Sequence, residues 1–442
     1  MFKAVFFIFI SIFSLPAFSQ LGFQFDKGIN KTKFHFKLIN NLIFVPIKVN
    51  GIELNFLLDT GVSETILFSL EDKKEVRFFN TEKVILRGLG NETAVEGLKS
   101  TNNNLEFSGL KRSDHMLYIV LDPEFNLSSH IGIPVNGIIG YQFFRDNLVE
   151  INYRKKRITV YKDNIKVREK IEEKFTKIPM SVEKSKPYLN SKVTLNDKEI
   201  PVKLLVDIGN SDAVWLFENR SEFIKVPLKN FDDFLGKGFS GDIYGKRARI
   251  QKLQMGEFNF SDLVAAFPDS ISTKSVTMVA DRMGSVGGEI MKRFNVVFDY
   301  QHQQLYLKKN SNYSAAFGYN RSGVDIQHNG LQWVQETVPM QTVSMGSGSG
   351  GTTAYNIKSN FKYKFNLKPV YEIANVRKNS SAAKAGLREG DIIITIDNVT
   401  THRYSLQDVN AFFRSENEKW ITLEIERESQ ILKFAFKLDD IL

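Results

Sequence analysis

Short apolar runs separated by turn residues dominate the first three hundred positions. Phe34 to Leu38 and Leu42 to Val49 alternate or run apolar, and Asn40-Asn41 between them predicts a hairpin turn. Phe56-Leu57-Leu58 reads as a buried strand that delivers Asp59-Thr60-Gly61 at its end. Glycine there lets the backbone turn under the carboxylate and bring amide donors close to it. A carboxylate at the end of a buried strand is costly unless it is hydrogen-bonded or used in chemistry. Helical signals are few. Ser69 to Val76 reads as a short helix or loop, Phe143 to Asn147 and Ile290 to Phe294 as helical turns, and Lys166 to Phe175 as a charged crossing.

The pattern recurs. Val202 to Val206 leads into Asp207-Ile208-Gly209 about 150 residues after the first motif, and the likeness extends well beyond it. Asn50-Gly51-Ile52-Glu53-Leu54 corresponds to Asn196-Asp197-Lys198-Glu199-Ile200, and Ile138-Ile139-Gly140-Tyr141 to Ser285-Val286-Gly287-Gly288. Leu148 to Tyr153 corresponds to Val296 to Tyr300, and Arg157 to Tyr161 to Gln304 to Leu307. Glycine-rich stretches follow each aspartate: Gly88, Gly90 and Gly97 in the first half, Gly236, Gly238, Gly241 and Gly245 in the second. Their bland reading is hairpin tips. Their functional reading is mobile flaps over a bound chain, with Gly88, Gly90, Gly238 and Gly241 as hinges and Tyr244 or Phe239 packing on substrate.

Composition narrows the classes. The 442 residues imply two or three domains, and 42% hydrophobic residues suffice for cores. The chain has no cysteine, which excludes disulfides, thiol nucleophiles and cysteine–zinc sites. The six histidines, His35, His115, His130, His302, His328 and His402, show no metal spacing, and nothing resembles a nucleophile elbow. No metal or cofactor is expected. The net charge of +9 comes from lysines and arginines scattered over turns and solvated faces, so no nucleic-acid partner is expected. Lys3, an apolar run from Ala4 to Leu15, and Ala17-Phe18-Ser19 read as a signal peptide over residues 1–19, cleaved before Gln20. No later stretch is long and apolar enough to span a bilayer, so the expectation is an exported protein, periplasmic or secreted.

The two halves resemble an aspartic protease of the retropepsin and pepsin kind over roughly Phe34 to Lys309. The resemblance rests on Asp59-Thr60-Gly61, on Ile138-Ile139-Gly140 and on the duplicated layout. It implies two similar β-barrel lobes, residues 20–164 and 165–310, with Asp59 and Asp207 meeting as a catalytic dyad. Thr60, Gly61, Gly209 and Asn210 would support it. In that family a Thr or Ser follows each aspartate and grips the opposite lobe, and another often follows the glycine. Thr60 fits and Ile208 does not. Val62 departs mildly, as apolar residues stand there in retroviral members, while Asn210 can hydrogen-bond an outer carboxylate oxygen.

From Ser311 the composition changes. Met345 to Gly351 is a glycine–serine run. Ala385-Gly386-Leu387-Arg388-Glu389-Gly390-Asp391 resembles the Ala-Gly-Leu-x-x-Gly-Asp run of bacterial PDZ domains. Gly386 suits a left-handed helix cap, Leu387 packs inward, and Gly390-Asp391 makes a tight turn into a strand. The resemblance implies a β-rich PDZ domain with two short helices over 311–442, carrying a Gly/Ser-rich inserted loop near 340–360. Tyr319 to Val324 would be its first strand. Such a domain takes an extended peptide or protein C-terminus at a sheet edge. The expectation is thus a mainly β, monomeric aspartic endopeptidase acting on extended polypeptides, with a recruiting PDZ domain. The alternatives are an inactive protease-fold scaffold that binds peptides, and a carbohydrate-binding β-sandwich with its aspartates apart.

Overall fold

The computed structural model describes residues 22–68, 76–86, 95–122, 127–238, 241–274, 278–347 and 353–442. The expected signal peptide, Gly88, Gly90 and Phe239 therefore lie outside the described residues. Strands make up most of the chain, and each half builds its own sheet.

The repeat seen in the sequence is a repeat of register. In lobe one, Ile52–Leu58 carries Asp59; in lobe two, Lys198–Asp207 ends on Asp207. Each pairs antiparallel with the strand before it, Leu42–Val49 or Lys186–Leu195. Each pairs parallel with a late strand, Gly137–Ile139 or Arg282–Gly287. The hairpins turn through residue pairs that both have positive φ: Asn40 and Asn41, Asn50 and Gly51, Lys184 and Ser185, Asn196 and Asp197. That backbone matches strand twist and favours Asn, Asp and Gly, which is why these turns are legible. A short helix follows each parallel strand, Tyr141–Phe144 and Gly288–Met291, and buries Phe143, Phe144, Ile290 and Met291.

The lobes are not independent bodies. A six-stranded sheet runs Thr176–Pro179, Gln304–Lys309, Phe294–Asp299, Leu148–Asn152, Arg157–Tyr161, Lys31–His35, and so takes strands from both. Its middle pairing, Val149 opposite Phe298 and Ile151 opposite Val296, crosses the boundary. All four side chains are fully buried, and one apolar core runs through both lobes. At roughly 1.5–3 kcal/mol per buried large apolar side chain, this seam alone fixes the lobes against each other.

The C-terminal domain has a separate core around Val324, Ile373, Leu387, Ile396, Val409, Phe413 and Leu423. Its first strand begins at Val324, later than the sequence suggests, because Asn320 Oδ1 collects the amides of Ser322 and Gly323 into a turn. The expected inserted loop is corrected as well. Val324–Ser347 and Thr353–Val376 pair antiparallel along their length as a long ribbon, with Trp333 opposite Leu367 and Thr337 opposite Tyr363. The pairing is described as far as Ser347 opposite Thr353, and β-branched and aromatic positions along both strands favour it.

This domain sits against both lobes. Leu406, at the start of helix Leu406–Phe413, packs on Gly132 of lobe one, and Gln407 Nε2 donates to the Leu38 carbonyl at 3.3 Å. Arg377 lies 4.1 Å over the Phe231 ring and 3.6 Å from Asp233, both on the lobe-two strand Asn230–Gly238.

Candidate active site

The parallel strand pairs bring the two aspartates to the same junction between the lobes. The Asp59 amide donates to the Ile139 carbonyl at 2.9 Å, and Asp207 stands in register with Gly287. Gly61 N donates to Asp59 Oδ1 at 2.6 Å and Gly209 N to Asp207 Oδ1 at 3.2 Å. Each glycine also lies under the opposite carboxylate. A Cβ on Gly209 would come within 2.1 Å of Asp59 Cγ, and one on Gly61 within 2.9 Å of Asp207 Oδ1. Only glycine permits that approach. The two carboxyl groups hydrogen-bond each other.

Their electrostatics follow. Burial, then the charge of Asp207, holds the Asp59 carboxyl well above the ordinary carboxylate range. Burial also raises Asp207, against the opposing pull of Arg282. Two close carboxylates in a poorly solvated site do not both ionise cheaply, so the pair retains one shared proton.

Support for the pair is one-sided. Thr60 is fully buried; its hydroxyl donates to the Val206 carbonyl at 2.6 Å and accepts from Ile208 N at 3.0 Å. Ile208 occupies the matching place in lobe two, is fully buried in the shared core, and returns no hydrogen bond. Asn210 does not support Asp207 as the sequence suggests. Its Oδ1 accepts from Asp212 N at 2.9 Å and its buried Nδ2 has no partner, because the turn after Gly209 uses the side chain to close itself.

A cleft of about 690 Å3 opens over the dyad, lined by Asp59, Asp207, Gly61, Gly209 and Asn210. From lobe two the hairpin strands Asn230–Gly238 and Gly241–Met255 reach over it through Phe234, Leu235, Gly236, Gly238 and Ile243. Gly238 pairs with Gly241 next to the hairpin tip. Tyr244 is a correction: alternation along the strand turns Ile243 inward, while Tyr244 stacks edge-on against Phe234, is 42% exposed and does not line the cleft. The same cleft is walled by Asn320, Asp325, Ile326, Asn410 and Arg414 of the C-terminal domain.

Three site residues escaped the sequence reading. Lys186 and Arg282 line the cleft beside the dyad. Tyr300, buried behind it, has an unpartnered hydroxyl that burial and the nearby Asp59 charge hold protonated. Lys186 follows a polar hairpin turn and looked like surface charge; carrying the repeat back to Leu42 would have exposed it.

In the C-terminal motif, Gly386 caps helix Ser381–Ala385 at φ 99° and Gly390 turns at φ 86°. Leu387 is core. Asp391 is buried and accepts two hydrogen bonds from Arg427, at 2.6 and 2.7 Å, plus one from Arg388 N at 2.8 Å. These four residues hold the domain together, and none of them lines the cleft over the dyad.

Among the described residues no cluster of His, Asp and Glu has the grouping to hold a metal ion, and no helix is long and apolar enough to cross a membrane. No curated protein matches the chain. Two families do match: residues 45–143 fit the aspartyl protease family, a span that includes Asp59 and stops short of Asp207, and residues 372–427 fit the PDZ domain. The chain therefore carries an aspartyl protease domain and, C-terminal to it, a PDZ domain.

Proposed function

We propose that the protein is an aspartic endopeptidase that cleaves extended polypeptides laid across the cleft between its lobes. The observation that carries this reading is the mutual hydrogen bond of Asp59 and Asp207 over two glycines that admit no side chain. The ionised member of the pair acts as general base on a water between the carboxyls, and the protonated member polarises the scissile carbonyl. The carbonyl accepts the water oxygen, the tetrahedral intermediate collapses, and the leaving nitrogen takes a proton from the dyad. No covalent intermediate is required. Gly209 N and Gly61 N keep the two inner oxygens in place through the cycle.

The PDZ domain recruits a peptide or protein C-terminus near the dyad and raises its effective concentration there. Its contribution to the walls of the same cleft supports this role. Export to the periplasm or beyond, and action as a monomer, belong to the same reading.

One observation favours a second reading, an inactive peptide-binding scaffold: Ile208 leaves half of the inter-lobe grip unmade. A cleavage assay on unstructured polypeptides from acid to neutral pH separates the two. A peptidase gives pepstatin-sensitive cleavage that Asp59→Asn and Asp207→Asn each abolish. A scaffold gives none, and neither substitution changes what it binds.

A further inference from the structure

The two walls of the cleft are built from equivalent strands and differ in charge. In lobe one the turn Asn40-Asn41 is closed by Ile39 opposite Leu42; in lobe two Lys184-Ser185 is closed by Glu183 opposite Lys186. Two residues further, Phe44 faces Leu57 and Tyr188 faces Leu205. Leu42 and Lys186 are thus the same position in the two lobes. On the parallel side, Ile138 beside Leu57 is matched by Ser285 beside Leu205. Lobe one therefore offers the cleft an apolar wall of Leu42, Phe44, Leu57 and Ile138. Lobe two offers Lys186 and Arg282 around Leu205.

Neither cation has a counter-ion of its own. Arg282 is only 3% exposed; its Nε donates to the Gly284 carbonyl at 3.0 Å, and its guanidinium lies 5.2 Å over the Phe217 ring. Among the described residues, neither Lys186 nor Arg282 forms an ion pair. Glu183, opposite Lys186 in its hairpin, and Asp281, next to Arg282 in the chain, both pair with Lys203, at 2.7 and 2.9 Å. The dyad, holding one shared proton, carries one negative charge against two positive ones. On the lobe-two side two cations therefore face the single charge of the dyad, a balance that a bound anion completes, while Glu64 lines the same cleft from lobe one.

We propose that Lys186, backed by Arg282, forms a subsite for a carboxylate of the bound polypeptide, on the lobe-two side of the scissile bond and opposite the apolar subsite of Leu42 and Phe44. The carboxylate comes from an Asp or Glu side chain or from the chain's C-terminus. The assignment deepens the peptidase reading and rests on it for the word substrate, but binding alone tests it.

The test uses the full chain carrying Asp59→Asn, which keeps peptides intact, and fluorescent peptides in which one position at a time is Glu, Gln or Lys. Each peptide is made with a free and with an amidated C-terminus. The expected result is about tenfold tighter binding of Glu over Gln at one position, or of the free over the amidated terminus, which distinguishes the two sources. Lys186→Gln should erase that preference, and Lys186→Glu should reverse it in favour of Lys. The proposal is overturned if no peptide discriminates by charge. It is also overturned if Lys186→Glu keeps the parent's preference while only shifting the pH profile of cleavage in the otherwise wild-type protein. Absence of cleavage by the unsubstituted protein, with the charge preference intact, would count against the peptidase reading and leave the subsite standing.

Discussion

The two lobes share topology, register and turn geometry, and they differ where they meet the dyad. Lobe one contributes Thr60, which ties it to the opposite backbone through two buried hydrogen bonds, and an apolar cleft wall. Lobe two contributes Ile208, which only fills core, and the cations Lys186 and Arg282. The duplication fixed the backbone that places the aspartates, and the side chains around them diverged. One lobe thus carries the mechanical tie while the other sets the charge of the site.

Substitutions at equivalent positions of the two lobes test this division of roles. The largest effect is expected at the glycines. Gly209→Ala puts a methyl group on the Asp59 carboxyl, so cleavage should vanish and thermal unfolding should show a loss of about 3 kcal/mol or more. Gly61→Ala meets its neighbour at 2.9 Å rather than 2.1 Å and should cost about half as much. Next comes the tie. Thr60→Val strands the Val206 carbonyl and the Ile208 amide in a buried site and should cost about 2–4 kcal/mol in denaturant unfolding, whereas Ile208→Val should cost about 1 kcal/mol.

A third difference concerns acid. Lobe one buries His115, whose Nε2 lies 2.7 Å from Thr65 Oγ1, while the only histidine of residues 165–310, His302, has a side chain 45% exposed. Burial, then the charge of Arg112, depresses the His115 imidazole to about 3. A depressed group contributes stability above its unfolded value near 6.5 and loses it as pH falls toward the folded value. Unfolding free energy should therefore drop by about 2–3 kcal/mol between pH 6.5 and pH 4, and His115→Gln should flatten that slope. The smallest effect is on the pH–rate profile. Lys186 favours the ionised form of both aspartates, so Lys186→Met should move the profile of cleavage to higher pH by about one unit. Leu42→Met, at the same place in lobe one, should leave its position unchanged.

Much of this was readable in the chain. Repeated turn pairs such as Asn50-Gly51 and Asn196-Asp197 have local backbone demands, and strand-end aspartates followed by glycine have few structural uses, so both stand out. What was hidden depends on long-range pairing. The sheet joining Leu148–Asn152 to Phe294–Asp299 is set by two strands that each look complete within their own repeat. The alternation that turns Ile243 inward and Tyr244 outward depends on a register visible only once Gly238 is seen to pair with Gly241. Lys186 and Arg282 were indistinguishable by composition from solvated charges; only their place on a wall equivalent to Leu42 marks them. The Asn210 side chain is claimed by a local turn, which its spacing from Asp207 does not reveal.

Catalysis by this pair requires that Asp59 and Asp207 share one proton. Carbon-13 NMR of the aspartate carboxyl groups across pH reads this directly. The expected result is coupled resonances, with one carboxyl still protonated well above the usual carboxylate range while its partner is ionised, and with the Asp59 transition altered by Asp207→Asn. Two independent titrations near pH 4, each indifferent to loss of the other residue, would contradict it.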